Sequence, residues 1–457
     1  MQKKAPDFAH GAIGPLLWRF AFPSAVSGLI GAVYNIVDQI FIGHCVGMIG
    51  NAATNVVFPV VTLTNAIAIM AGVGASSGFN LSMGRRDEDE AGSMIGSGLT
   101  LMALCGIVLT CILQLFMTPL LAFFGATAEN MPYAYAYERI VAWAIPLFIL
   151  GTGGSAMIRA DGSPRYALLS VIIGAVLNVG LDALFMLGFG MGIEGAAWAT
   201  LIGQAVSGAF VIGYFVCRFQ TIRLRRAHFR ISLPKMKRVF SLGMGPFINH
   251  FSMTLIQILL NNALVTWGAA SLYGSEIPLA CAGIAAKVNT IVSSIVIGIA
   301  QGAQPIISFN YGAKDYKRAR ETGAWAIGAV LSFSFVVFLG FQLFPRQITM
   351  LFGRYDNPAY YEFAEKYFRI FMMLVCISGM QITIGNFFTA LGKPWMSVLI
   401  SASRQIVSLP ILLTLLPRVF GLDGVLYAGP AADGICAVMA FALFARAWRR
   451  MGRMERV

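Results

Sequence analysis

LLSVIIGAVLNVGLDALFMLG, Leu168–Gly188, is an unbroken apolar run with a carboxylate near one end. A helix crosses a bilayer with about 20 apolar residues, so this segment is long enough to span. Within it, Asn178 and Asp182 are four apart and share one helical face. A carboxylate at membrane depth is costly and is kept for a partner or a task. A second acid, Asp38, lies in another long apolar run, Gly14–Gly43. The chain reads as a frame that brings these two acids together.

The rest of the composition agrees with a membrane protein. Of 457 residues, 58% are hydrophobic and only 12% charged, against about a quarter charged in soluble proteins. The runs are apolar on all sides, which favours helices over the alternating strands of a barrel. Spans are expected near 14–43, 52–83, 93–118, 133–159, 166–189, 194–218, 237–267, 277–309, 321–345, 361–390, 395–417 and 422–446. The polar start Met1–His10 precedes a span too long for a cleavable signal peptide.

The net charge of +13 is distributed by topology rather than for nucleic acid. One side collects Lys3/Lys4, Arg85/Arg86, Arg159/Arg165, Arg218–Arg238, Lys314–Arg320, Lys393 and Arg446–Arg456. The opposite loops hold only Arg346, Arg354 and Arg418. The basic side is the cytoplasm by the positive-inside rule, so both termini are expected to be cytoplasmic, in a multi-pass protein of the cell (inner) membrane. The basic link Arg218–Arg238, with eight Lys and Arg and no acid, reads as a topology anchor rather than a lipid-specific site.

The chain repeats itself. Tyr137-Glu-Arg-Ile140 recurs as Tyr367-Phe-Arg-Ile370, and Ala160-Asp-Gly-Ser-Pro164 as Ala390-Leu-Gly-Lys-Pro394. Gly84-Arg-Arg-Asp87 recurs as Gly312-Ala-Lys-Asp315, Gly195-Ala-Ala-Trp-Ala199 as Gly424-Val-Leu-Tyr-Ala428, and Pro23 answers Pro246. One nearly constant offset across half the chain is the mark of a duplication. The expected fold is all-α and integral to the membrane, with twelve transmembrane helices in two pseudo-symmetric six-helix lobes. The N-lobe is 1–218, the cytoplasmic linker 219–236 and the C-lobe 237–457. Six spans per lobe give both lobes the same orientation, with the site between or within them.

Counting back from each outer span end at about 1.5 Å per residue, Asp38, Asp182 and Thr200 all fall on the order of 6–10 Å below the outer surface. With Asn178 they form a set of hard oxygen ligands that suits Na⁺, or a proton held between acids. Two close carboxylates do not both ionise cheaply. Their C-lobe counterparts are Asn261 and Leu412, so ion coupling is expected in the N-lobe alone. Lys287, Arg404 and Asp433 lie at mid-span depth and form a candidate polar network. Glu138 and Glu365, at span starts, are expected at the interface. Pro23 is a candidate hinge.

Other motifs point away from chemistry. Gly72-Val-Gly-Ala-Ser-Ser-Gly78 lies inside an apolar span without the Lys-Ser/Thr ending of a nucleotide loop, so close helix packing is expected. The seven cysteines are scattered, with no CxxC, and read as small apolar residues. The four histidines are far apart, with no HExxH. No nucleophile elbow or nucleotide-binding domain appears, which counts against an integral-membrane enzyme or an ATP-driven pump. No cofactor is expected beyond the coupling ion.

Three features together resemble the multidrug and toxic compound extrusion (MATE) family. They are Pro23…Asn35-Ile-Val-Asp38-Gln-Ile-Phe-Ile-Gly43, Asn178-xxx-Asp182 with Thr200 beyond, and Gln301-Gly-Ala-Gln-Pro305…Asn310-Tyr-Gly-Ala-Lys314. The resemblance implies a secondary antiporter exporting amphipathic, often cationic compounds in exchange for H⁺ or Na⁺, here taken as a monomer. It implies a cation site on Asp38, Asn178, Asp182 and Thr200, and a bending proline at Pro23. The acids that another branch carries in spans seven and ten are missing from Phe247–Val265 and Phe371–Ala390. The rival reading, a flippase for lipid-linked glycans, calls for a more basic central cavity. A channel would leak ions without exchange.

Overall fold

The computed structural model describes residues 8–352 and 357–455. Lys3, Lys4, Arg354 and Arg456, used above to set the basic side, lie outside the described residues. Among those described, the chain is helical with no strand. The N-terminal half runs α1 (Ile13–Cys45), α2 (Met48–Gly84), α3 (Glu88–Phe123), α4 (Met131–Val141), α5 (Ile145–Ala160), α6 (Pro164–Asp182) and α7 (Gly192–Cys217). The C-terminal half runs α8 (Leu233–Ala269), α9 (Glu276–Gly312), α10 (Tyr316–Leu343), α11 (Pro345–Met350), α12 (Pro358–Phe371), α13 (Val375–Ala390), α14 (Pro394–Ala402), α15 (Leu409–Phe420) and α16 (Leu422–Met454). Eleven helical segments among the described residues are long and apolar enough to span a membrane. The pair α12–α13, bent by 45°, makes a twelfth if it counts as one span.

The duplication reappears as repeated local chemistry. Asp87 and Asp315 each cap a helix, accepting 3.0 Å bonds from the backbone N–H of Glu90 and Arg318. Just before them, Arg86 and Lys314 both hold φ at 63°, a left-handed turn that ordinary side chains avoid. Gly162 and Gly392 occupy matching left-handed turns, each followed by a proline that opens the next helix, Pro164 and Pro394. Even a span-to-span bond recurs: Gln114 donates to the Arg139 carbonyl, and Gln342 to that of Arg369.

The lobes meet through glycines at the end that carries the basic loops. Gly74 of α2 lies on the backbone of Val239 and Gly243 of α8, and Gly243 lies on that of Met70. Gly84 faces Phe309 and Gly312 faces Leu81, again backbone to backbone. A stripe of small residues lets helices approach this closely, and the Gly72–Gly78 stretch serves that purpose. In α1 and α9, Ala21 rests on Gly302, Ala25 on Gly298, and Gly28 on Ser294. The start of α1 therefore packs with the C-lobe, where Leu16, Leu17 and Phe20 join a core with Ile299, Ile306 and Phe388. Toward the other end, Asn35 and Gln39 of α1 and Lys287 and Thr290 of α9 are exposed. The close backbone contacts of the seam thus lie toward the basic end, while these polar residues farther along α1 and α9 are uncovered.

The linker is docked rather than loose. The turn Arg226–Phe229 lies on α3, with the His228 ring over Gly92 and the His228 carbonyl against Gly96. His228 Nε2 is 3.5 Å from Asp89. Upstream, buried Asp161 accepts from the Tyr214 hydroxyl at 2.6 Å and from the backbone N–H groups of Gln220 and Thr221 at 2.9 Å.

Candidate functional site

In the N-lobe, α6 and α7 pack face to face and α1 leans on α6. α6 ends at Asp182 and continues as one wide π-helical segment, Ala183–Gly188. Such turns interrupt the regular ladder and gather at functional positions. Asp182 is fully buried, and Asn178 and Thr200 are nearly so. With its amide assigned from the bonding network, Asn178 donates to Asp182 Oδ2 at 3.3 Å and accepts from the Thr200 backbone N–H at 3.2 Å. Asp38, on the facing side of α1, comes close enough to Asp182 for the two carboxyls to share a hydrogen bond. The structure therefore brings Asp38, Asn178, Asp182 and Thr200 together.

The polar chamber is larger than those four. Tyr34, one turn before Asp38, reaches Gln204, one turn after Thr200. The Tyr137 hydroxyl of α4 lies near Thr200. These three groups are uncharged, so a search for membrane acids passes over them. Their spacing was a usable signal: Tyr34 and Asp38 are four apart, as are Thr200 and Gln204.

The donors do not satisfy the acids. Asp38 Oδ1 and Asp182 Oδ1 are both buried without a hydrogen-bond partner. Two facing carboxyls with spare oxygens, an amide and a hydroxyl can hold a proton between them or a hard cation such as Na⁺. Among the described residues, no cluster of three or more His, Cys, Asp or Glu has the form of a transition-metal site.

Glu138 corrects the span count. Rather than lying at the interface, it is wholly buried, with both carboxyl oxygens unpartnered. The reason is helical phase: Ala134, Tyr137, Glu138 and Val141 form the inward face of α4. Glu365 is partly exposed. Pro23 lies within α1, buried on the lobe seam, and its carbonyl accepts from Ser27 Oγ at 2.8 Å.

In the C-lobe, Arg404 and Asp433 form an ion pair between a π-helical segment, Ser403–Ser408, and α16. Lys287, grouped with them by depth, is exposed on α9 and forms no ion pair among the described residues. Asn261, the counterpart of Asp38, accepts from Gln257 Nε2 at 2.9 Å. Arg404→Ala would leave Asp433 buried without a counter-charge, which costs about 3–5 kcal/mol. Removing both charges, Arg404→Met with Asp433→Asn, is expected to be near neutral. Thermal unfolding in detergent checks this, with the single variant melting well below the double.

Known proteins agree with this architecture. The MatE family model matches residues 23–184 and again 251–414, so it recognises each half of the duplication. The chain is 22% identical over 433 residues to the multidrug export protein MepA of Staphylococcus haemolyticus, covering 95% of this chain and 93% of that one. It is 20% identical to MepA of Staphylococcus aureus strain MRSA252, over 95% and 94%. Among solved structures, a MATE protein in complex with MaL6 superimposes with a TM-score of 0.90 at 22% identity. An outward-facing multidrug resistance MATE transporter of the MOP superfamily superimposes at 0.88 with 21% identity. Both pairs are covered in full. With the family model matched on both halves of a duplicated helical bundle, this chain belongs to the MATE family of multidrug efflux transporters, which are carriers rather than enzymes.

Proposed function

We propose that this protein is a secondary antiporter of the cell (inner) membrane, with both termini cytoplasmic, that exports amphipathic small molecules in exchange for H⁺ or Na⁺. The ion binds at Asp38, Asn178, Asp182 and Thr200, and no cofactor takes part. The observation that carries this reading is the pair of facing carboxyls, each with a buried oxygen that no protein donor reaches.

The mechanism follows from differential binding. On this reading the lobes, joined by close contacts toward the basic end, would part at the other end to admit an ion to the N-lobe acids. An ion entering there would neutralise the chamber and favour one lobe arrangement; the substrate would favour the other. Each then lowers the other's affinity by the same factor. Pro23 supports a bending role for α1, because it lies on the lobe seam and has no N–H to complete the helical ladder.

The test is substrate-driven ion movement in proteoliposomes, with a proton gradient and a sodium gradient imposed separately. Export driven by one gradient and abolished by its collapse is the expected result. Equal substrate flux with neither gradient would refute coupling, and ion leak without substrate would point to a channel.

A further inference from the structure

A cavity lies on the C-lobe side of the seam, walled by α2, α8, α9, α13, α14 and the π-helical segment that follows α14. Its empty volume, counting the open mouth, is about 580 Å³. Its polar lining includes Asn249, His250, Gln301, Gln381, Asn386 and Arg404, and no carboxylate lines it.

The Arg404–Asp433 pair is lopsided. The Arg404 side chain is 24% exposed and that of Asp433 only 7%. Asp433 is not part of the cavity lining and holds the guanidinium through Nε, while Arg404 itself lines the cavity. Gln381 is fixed by donating Nε2 to the Asp433 carbonyl at 2.7 Å, and its Oε1 is buried with no donor. From the N-lobe, buried Arg159 donates to Gln301 Oε1 at 2.9 Å. Arg159 has no ion-pair partner among the described residues. Lys287, Ser294 and Gln301 recur every seven residues along α9 and so share a face, which Ser294 turns toward α1. The cavity lining thus carries one guanidinium, that of Arg404, and no carboxylate, with the N-lobe cation Arg159 bonded to its Gln301 wall, while Asp38 and Asp182 are not part of that lining.

We propose that this cavity seats the anionic end of a small amphipathic substrate, a carboxylate bound by the Arg404 fork, with Gln381 accepting from a neighbouring N–H or O–H. A planar guanidinium meets a carboxylate with two parallel bonds. This refines the exporter reading and rests on it. Substrate charge and coupling ion occupy different lobes, and a cationic compound is disfavoured at this seat by like charge.

The test is equilibrium binding to the purified full-length protein in nonionic detergent, read by dansyl fluorescence. Binding needs no gradient, so a failure of ion coupling leaves the result readable. Three probes are compared: dansyl-phenylalanine, its carboxamide, and the cation dansylcadaverine. The carboxylate is expected to bind about tenfold tighter than the other two, the worth of one charge-assisted contact. In Arg404→Met/Asp433→Asn the preference should shrink to within about twofold. Asn386→Leu, which fills the cavity without touching the ion pair, should weaken dansyl-phenylalanine and its carboxamide about fivefold or more. Tightest binding by the cation, or a carboxylate preference that survives the double variant, overturns the proposal; so does unchanged binding in Asn386→Leu.

Discussion

Asp182→Asn is expected to reduce substrate export to background while the protein still reaches the membrane. The side chain keeps its size, and Asn178 can still donate to an amide oxygen at that position, so the fold should tolerate the change. What is lost is one of the two carboxylates of the chamber, the one that is fully buried. Removing one member of a buried, hydrogen-bonded charge set costs about 2–5 kcal/mol, or roughly 30- to several-thousand-fold in ion affinity. Asp38→Asn should act in the same direction. Thr200→Val, which removes a neutral donor–acceptor, should cost about 1 kcal/mol and leave measurable transport. Flux in proteoliposomes, normalised to protein incorporated, separates these cases. Full activity in Asp182→Asn would remove the carboxyl pair from the mechanism.

The second large effect is conformational. In Gly74→Val or Gly243→Val, the new Cβ lands on the backbone of the opposite lobe. No rotamer relieves such a clash, so the basic ends must separate. Overpacking of this kind costs about 1–3 kcal/mol, enough to move a two-state equilibrium by about 5- to 150-fold. The arrangement with these helices in contact should become the minor state, and transport should fall at least about fivefold in step. Spin labels at Met48→Cys and Leu272→Cys, both exposed positions, would report a shorter distance in a cysteine-free background. Unchanged distances with wild-type flux would mean that the glycine seam is not the gate.

The membrane-spanning frame was legible because its signals are long. A span needs many apolar residues, and a duplication leaves matched stretches at one offset, down to the paired caps at Asp87 and Asp315. Asp38, Asn178, Asp182 and Thr200 were found as candidates because a charge in an apolar run stands out, and helical spacing does the rest. Depth alone was a weaker guide. It grouped Lys287 with Arg404 and Asp433, but depth is one coordinate, and Lys287 is exposed on α9 and joins no ion pair among the described residues. It also put Glu138 at the membrane interface from its place at a span start, which left out that the apolar phase of Ala134, Tyr137 and Val141 turns that face inward. The π-helical segments at Ala183–Gly188 and Ser403–Ser408 left no mark in the sequence. They depend on tertiary packing, not on residue type.

The Arg404–Asp433 pair also bears on how the chain enters the bilayer. Each charge alone is unfavourable by about 2.5–3.5 kcal/mol at the centre of an inserting helix. Yet the two belong to consecutive spans, Pro394–Phe420 and Leu422–Met454, joined by a turn at Gly421. They can meet within a single helical hairpin before the rest of the C-lobe assembles. Biogenesis of the last two spans is thus a joint event, and a nascent chain stopped between them would expose an arginine to lipid.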